Sequence, residues 1–265
     1  MHTPSLLLAA ARLAASRAGD YARSQRARRH DANAVLQHDI KHKLDVECEA
    51  IATRILLDAF PDSSILGEET SAEGNAPPPA ARGVEWIIDP IDGTVNFFHG
   101  LPLWNCSIAA RIDGVVAAGV VYAPELGYCF EATLDGPALM NGLPIHTSTA
   151  DDLAACTVHT GADRNEDPLR ANRFINALSN VCQRPRVIGA AALDVCAVAA
   201  GMADAYFEHG IYIWDIAAAG LIVQRAGGTG EIVKGLGGHR LAFLATNGRP
   251  AVHAALHATL DPLLN

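Results

Sequence analysis

Two aspartates three positions apart, Asp89 and Asp92, stand where an apolar run meets turn residues: Trp86-Ile87-Ile88-Asp89-Pro90-Ile91-Asp92-Gly93-Thr94. Trp86, Ile87 and Ile88 predict a buried strand, and Pro90 and Gly93 predict a sharp break into a helix. Such a turn gathers carboxylates on one side, which can hold cations. On the other it leaves backbone N–H groups, which can hold a phosphate. Asp-Pro and Asp-Gly are also ordinary turn dipeptides, so this segment alone leaves both readings open.

Other acids repeat the pattern. Glu68 and Glu69 close the apolar run Ser64-Ile65-Leu66-Gly67, and Asp215 follows Ile211-Tyr212-Ile213-Trp214. Asp215 also stands where a helix N-cap belongs, a role that would contribute about 1 kcal/mol. Carboxylates at strand ends of a layered α/β protein converge on one edge. Four in one cleft would repel one another and be driven toward protonation. Divalent cations remove that repulsion, and oxygen-only ligands select a hard ion such as Mg²⁺. With an anion cradle at Gly93-Thr94, no Walker lysine and no nucleotide fingerprint, the constellation points to phosphate ester hydrolysis.

The elements that must position these groups are legible from apolar periodicity. Helices are expected over residues 4–29 and 39–59, the second with Leu44, Cys48, Ile51 and Ile55 as its buried stripe. Asp45 lies off that stripe and reads, alone, as a surface carboxylate. Residues 71–82, with Pro77-Pro78-Pro79, read as a linker. Runs at 107–111 and 115–122 flank Asp113-Gly114, a hairpin signal, and 127–133 continues the meander. Beyond residue 150, short strands at 156–160, 186–188, 204–208, 231–233 and 241–246 alternate with helices at 168–179, 191–200, 216–226 and 251–260. The fold class is therefore α/β (α+β mixed), with an antiparallel-sheet N-terminal half, residues 1–149, and an α/β C-terminal half, residues 150–265.

The 265 residues, half of them hydrophobic, suffice for one large or two modest cores. A net charge of −9 disfavours nucleic acid as a partner. The basic stretch Arg23 to Arg29 reads as a solvated helix end or, alternatively, a phosphate contact. Six scattered cysteines without a C-x-x-C pair predict reduced thiols in a cytoplasmic protein. No apolar run is long enough for a membrane span, and the N-terminal run reads as an amphipathic helix, not a signal peptide.

Three pieces in order, Gly67-Glu68-Glu69, the segment from Trp86 to Phe97, and Trp214-Asp215-Ile216-Ala217-Ala218-Ala219-Gly220, resemble the inositol monophosphatase family of Mg²⁺-dependent, lithium-sensitive phosphatases. The likeness spans residues 35–250; His99-Gly100 with Pro102, and the segment from Gly201 to Glu208, add to it. The resemblance implies a layered αβαβα sandwich, commonly a homodimer. It implies that Glu68, Asp89 and the Ile91 carbonyl hold one ion, and that Asp89, Asp92 and Asp215 hold a second. Glu68 would also touch a loosely held third. Gly93 and Thr94 N–H groups would hold the phosphate, and the Thr94 hydroxyl, backed by Asp45 and aided by Glu68, would orient the attacking water. Asp92, Ala190 and Glu208 would stand on the substrate side, with Glu208 contacting a hydroxyl of the leaving group.

The chain departs from the family pattern at several places. Ile40-Lys41 stands where Val-Thr is usual, and Ala34 where many members carry a lysine; Lys41 is the candidate to replace that charge. Ala190 takes the place of Thr or Ser, and Ala162 or Asp163 that of a substrate-contacting serine. These changes spare the metal ligands and bear on substrate identity. The favoured expectation is a phosphomonoesterase of small polyol phosphates, above all inositol monophosphate. Histidinol-phosphate, fructose-1,6-bisphosphate and 3′-phosphoadenosine phosphatases are alternatives, and a non-catalytic binding protein on the same fold is the alternative of another class.

Overall fold

The computed structural model describes residues 3–35, 40–71, 83–161 and 168–264. The linker at 72–82, Asp39, Ala162 and Asp163 lie outside the described residues. Helix α1 (Pro4–Ser24) starts at Thr3, whose side chain caps the Leu6 N–H, and buries Leu7, Ala10, Ala11, Ala14, Ala15, Ala18 and Ala22 along one stripe. It ends before the expected residue 29, and a single 3₁₀ turn follows at Arg26–Arg28. There Arg26 pairs with Glu125 and Arg28 with Glu47, so these partly exposed arginines are engaged by carboxylates and are not merely a solvated helix end.

Strands β1 (Ala32–Val35) and β2 (Ile40–His42) form a separate antiparallel pair, which places Lys41 opposite Ala34. Helix α2 (Lys43–Ala59) therefore begins after β2, not near residue 39. Next come β3 (Ser64–Gly67), the one-turn α3 (Glu68–Ser71), β4 (Val84–Asp92), α4 (Thr94–His99), β5 (Asn105–Ile112), β6 (Val115–Ala123), β7 (Tyr128–Thr133), β8 (Leu139–Met140) and β9 (Leu143–Pro144). These seven strands form one sheet in sequence order. Only β3 and β4 run parallel; the other five pairings are antiparallel, as expected of this half. Asp113 and Gly114 both take positive φ in the predicted hairpin, as a two-residue primed turn requires.

The rest of the chain supplies β10 (Thr157–Thr160), α5 (Pro168–Val181), β11 (Arg184–Arg186), α6 (Ala191–Ala199), β12 (Ala205–Tyr212), α7 (Ile213–Arg225), β13 (Thr229–Gly237), β14 (Arg240–Thr246) and α8 (Pro250–Leu260). The second sheet has the order β11-β10-β12-β14-β13 and mixes parallel with antiparallel pairs. Strand β11 lies just upstream of the expected 186–188. Strand β12 passes the expected end at 208, because a bulge between His209 and Ile211 absorbs Gly210, which has φ 101°.

The result is a mixed α/β fold of five layers. Helices α1 and α2 cover the outer face of the first sheet around Trp86, Ile88, Phe97 and Trp104. Helices α6 and α7 fill the space between the sheets, and α5 and α8 cover the second sheet around Phe174, Phe207 and Leu256. Strand β4 is buried along all nine residues, which is why its apolar run lacks alternation. Helix α7 sits close on β6 at Gly119, where a Cβ would lie 2.8 Å from the Ala218 backbone. No described helix is long and apolar enough to cross a membrane, and all six cysteines are free thiols.

Candidate active site

The expected break at Pro90 does not occur. Strand β4 continues to Asp92, and its pairing with β5 slips between Asp89, opposite Ser107, and Asp92, opposite Asn105. Three steps on β4 thus match two on β5, a β-bulge at Pro90-Ile91. In a regular strand, residues three apart face opposite sides. The extra residue cancels that alternation, and Asp89 and Asp92 turn to the same place. Proline fits there because it has no N–H to give the ladder.

Asp215 arrives from another element. It is the third residue of α7, not the N-cap; Tyr212 holds that position and donates its N–H to Asp215 Oδ2 at 2.7 Å. Asp89, Asp92 and Asp215 each present a carboxylate oxygen within 4.8 Å of the others. Asp92 accepts the Ala191 and Ala192 N–H groups at 3.0 and 2.8 Å and Asn105 Nδ2 at 2.6 Å, so it caps α6 from a distant part of the chain. Asp89 is buried, and its Oδ1 has no hydrogen-bond partner among the described residues. Burial, then the charges of Glu68, Asp92 and Asp215, push its pKa well above the ordinary carboxylate value. Glu68 starts α3, and its charge reaches Asp89, though it is not one of the three tightly grouped acids.

Gly93 follows Asp92 with φ 89°, in the left-handed region, and a Cβ there would lie 2.9 Å from the Leu103 carbonyl oxygen. Helix α4 starts at once, so its first N–H groups have no partner inside the helix. Thr94 donates its hydroxyl to the Ile91 carbonyl at 3.0 Å. Asn96 donates to the Leu103, Ile188 and Gly189 carbonyls, tying α4 to the chain leading into α6.

Three expectations about single residues change. Asp45 is buried, not on the surface, because the covered face of α2 is Leu44, Asp45, Cys48, Glu49, Ala52 and Leu56. Ala190 is fully buried beside Gly93, so its methyl group packs the turn and is closed to a ligand in this arrangement. Glu208 does not end its strand, as the expected limit at 208 implied. It lies inside β12, mostly buried, and accepts the Tyr206 hydroxyl at 2.6 Å.

Sequence reasoning missed Glu49, Asn105 and the pair His159–Asp194, whose side chains meet at 2.7 Å. Burial pushes the Asp194 carboxyl up to about 6 against the opposing effect of His159. Glu49 accepts the Glu69 and Thr70 N–H groups at 2.8 and 3.1 Å and so holds the turn that carries Glu68. The signal was its spacing: Asp45 and Glu49 lie four apart and continue as Ala52 and Leu56 along one helix face. Glu49→Ala should cost about 1–3 kcal/mol by removing a charged acceptor from two part-buried N–H donors. It should also weaken divalent-cation binding in calorimetry; unchanged binding would mean that Glu68 is placed without it.

A family model described as "Inositol monophosphatase family" matches residues 4–264. An inositol monophosphatase of Mesembryanthemum crystallinum is 37% identical over 226 residues, covering 83% of each chain. "Nus factor SuhB" of Pasteurella multocida is 37% identical over 220 residues, covering 81% of this chain and 80% of that one. Among solved structures, an inositol monophosphatase from Anabaena superposes with a TM-score of 0.81 at 30% identity, covering 96% of this chain and 95% of that one.

Proposed function

We propose a function that proceeds from one premise: this chain belongs to the inositol monophosphatase family. It is a Mg²⁺-dependent phosphomonoesterase of small polyol phosphates, with an inositol monophosphate as the favoured substrate. The observation that supports this most is the meeting of Asp89, Asp92 and Asp215 within 4.8 Å, next to the Gly93-Thr94 turn. The donor set fits a hard cation: Asp89, Asp92 and Asp215 offer carboxylate oxygens only, and buried Asp89 Oδ1 lacks another partner among the described residues.

In this reading Glu68, Asp89 and the Ile91 carbonyl hold one ion, and Asp89, Asp92 and Asp215 the other. Bound there, Mg²⁺ would supply neutralisation of the phosphoryl oxygens and of the leaving alkoxide. Gly93 and Thr94 N–H groups receive the phosphate, and Thr94 with Asp45 and Glu68 orients the attacking water. Residues 1–149 bring Glu68, Asp89 and Asp92, and residues 150–265 bring Asp215 and Glu208. The enzyme works as a homodimer in the cytoplasm.

Phosphate release over a panel of esters tests the reading. Inositol 1-phosphate should be preferred to histidinol phosphate, fructose 1,6-bisphosphate and 3′-phosphoadenosine 5′-phosphate, and EDTA should abolish every activity. Preference for another ester would overturn the substrate assignment alone. No release from any ester with Mg²⁺ would favour a binding role, which the relative named as a Nus factor makes the second reading.

Glu208 supplies the specificity prediction. Its carboxylate can accept a polyol hydroxyl and would repel a second phosphate. Glu208→Gln should weaken inositol phosphate hydrolysis by about 1–3 kcal/mol and spare p-nitrophenyl phosphate, which has no polyol. Gly161→Ala should act alike, because a Cβ there would lie 1.8 Å from the Glu208 carboxylate. Equal loss on both esters would give Glu208 a structural role.

A further inference from the structure

Away from the carboxylate cluster, β13 and α8 bring together a second set of ligand-type side chains that the phosphatase reading does not use. His253 and His257 are four residues apart on α8 and so share one helix face. Glu231 comes from β13, with Oε1 at 2.5 Å from His257 Nε2 and 3.4 Å from His253 Nε2. One atom from each of the three residues lies within 4.8 Å of the others. All three are partly exposed, so an ion could reach them from solvent.

The far sides of both rings are also held. His257 Nδ1 lies 3.0 and 3.1 Å from the two carboxylate oxygens of Asp261. His253 Nδ1 lies 3.4 Å from Thr229 Oγ1, which itself meets Thr246 Oγ1 at 2.7 Å. Partners at Nδ1 fix the ring orientation and leave Nε2 to face Glu231. A carboxylate behind a histidine is the usual support of a metal-ligating imidazole, because it sets the tautomer and raises ligand basicity. An ordinary surface ion pair needs one histidine and one acid; here two imidazoles converge on one carboxylate oxygen.

We propose that Glu231, His253 and His257 form a binding site for a borderline transition-metal ion of the Zn²⁺ class, which clips α8 to β13. Two imidazoles and one carboxylate suit Zn²⁺ and disfavour Mg²⁺, which prefers oxygen ligands. Water completes the coordination. The site is structural, not hydrolytic: Ala254 follows His253 where a zinc protease helix carries its catalytic glutamate.

The test is a Zn²⁺ titration of the full chain in excess Mg²⁺, followed by calorimetry and thermal melting. Because Zn²⁺ also binds carboxylate clusters, the titration is repeated in Asp89→Asn. Wild type and Asp89→Asn should each bind one tight equivalent and melt higher with Zn²⁺. His253→Ala and His257→Ala should lose that equivalent and the melting shift while keeping Mg²⁺-dependent phosphate release. Glu231→Gln, which keeps the shape, should weaken binding, and Asp261→Asn should weaken it about 10-fold or more. Co²⁺ loading should give visible absorption in wild type that both histidine variants lack. A Zn²⁺ equivalent that survives both histidine substitutions, or one that disappears with Asp89 alone, would overturn the proposal.

Discussion

Asp89→Asn should lower phosphate release by at least about 10²-fold, the low end for removing one preorganised charge-stabilising group. In EDTA the same variant should melt above wild type. Both outcomes have one cause. The Asp89 carboxyl is held in a buried place beside Glu68, Asp92 and Asp215, and without a cation its ionised form is disfavoured. Its folded pKa is raised above the ordinary 3.8. Between those two values the folded chain holds a proton that the unfolded chain has released, so stability falls as pH rises through that window. Metal-free wild type should therefore gain stability on mild acidification, and the asparagine variant should gain less. Mg²⁺ should raise the wild-type melting temperature at neutral pH and move the variant's much less. Full activity in EDTA, or an equal Mg²⁺ shift in both proteins, would remove Asp89 from the metal site.

Thr94→Ala should lower kcat by about 10²–10⁴-fold, the range for a positioned proton-transfer group, with a small change in KM. The Thr94 hydroxyl gives its proton to the Ile91 carbonyl at 3.0 Å, which leaves its oxygen lone pairs to accept from a water. A group that aims the attacking water acts mainly in the transition state, so the loss falls on turnover. Thr94→Ser keeps the hydroxyl and should retain most activity. Asp45 is buried in the first turn of α2, and the proposed function has it orient the same water. If the two act as a unit, adding Asp45→Asn to Thr94→Ala should cost little more than the worse single change. Additive losses would separate them, and an equal rise in KM would make Thr94 a substrate contact.

Much of the candidate site was legible because its parts are local. Trp86 to Thr94 combines a buried run, two acids and a glycine turn within a few residues, and the hairpin at Asp113-Gly114 is set by two residues. The misplaced features all depend on what lies across the fold. Glu208 reads as the last residue of its strand because His209-Gly210 follows it, yet the bulge at Gly210 lets β12 run on and leaves Glu208 inside it. Asp45 reads as a surface acid because it lies off the apolar stripe of its helix, and Glu49 drew no reading, yet both are buried on the covered face of α2. The carboxylates that hold Arg26 and Arg28, Glu125 and Glu47, are remote from them in sequence, so the stretch reads as a solvated helix end.

By itself, then, the sequence determined most of the larger elements, though not the β1–β2 pair, and it determined which residues carry carboxylates and where the chain can turn to present N–H groups to an anion. These follow from side-chain chemistry and from periodicity within a few residues. Only the tertiary structure decided that Asp89 and Asp92 share a side, because that rests on a bulge against β5. It alone brought Asp215 to them, through the packing of α7 between two sheets, and assigned Asp92 to cap α6 across 99 and 100 residues of chain. The same holds for Glu231 and the histidines of α8, which are separated in sequence and joined where a helix covers a sheet. Convergence of this kind depends on which surfaces bury each other, and local pattern carries no record of that partner.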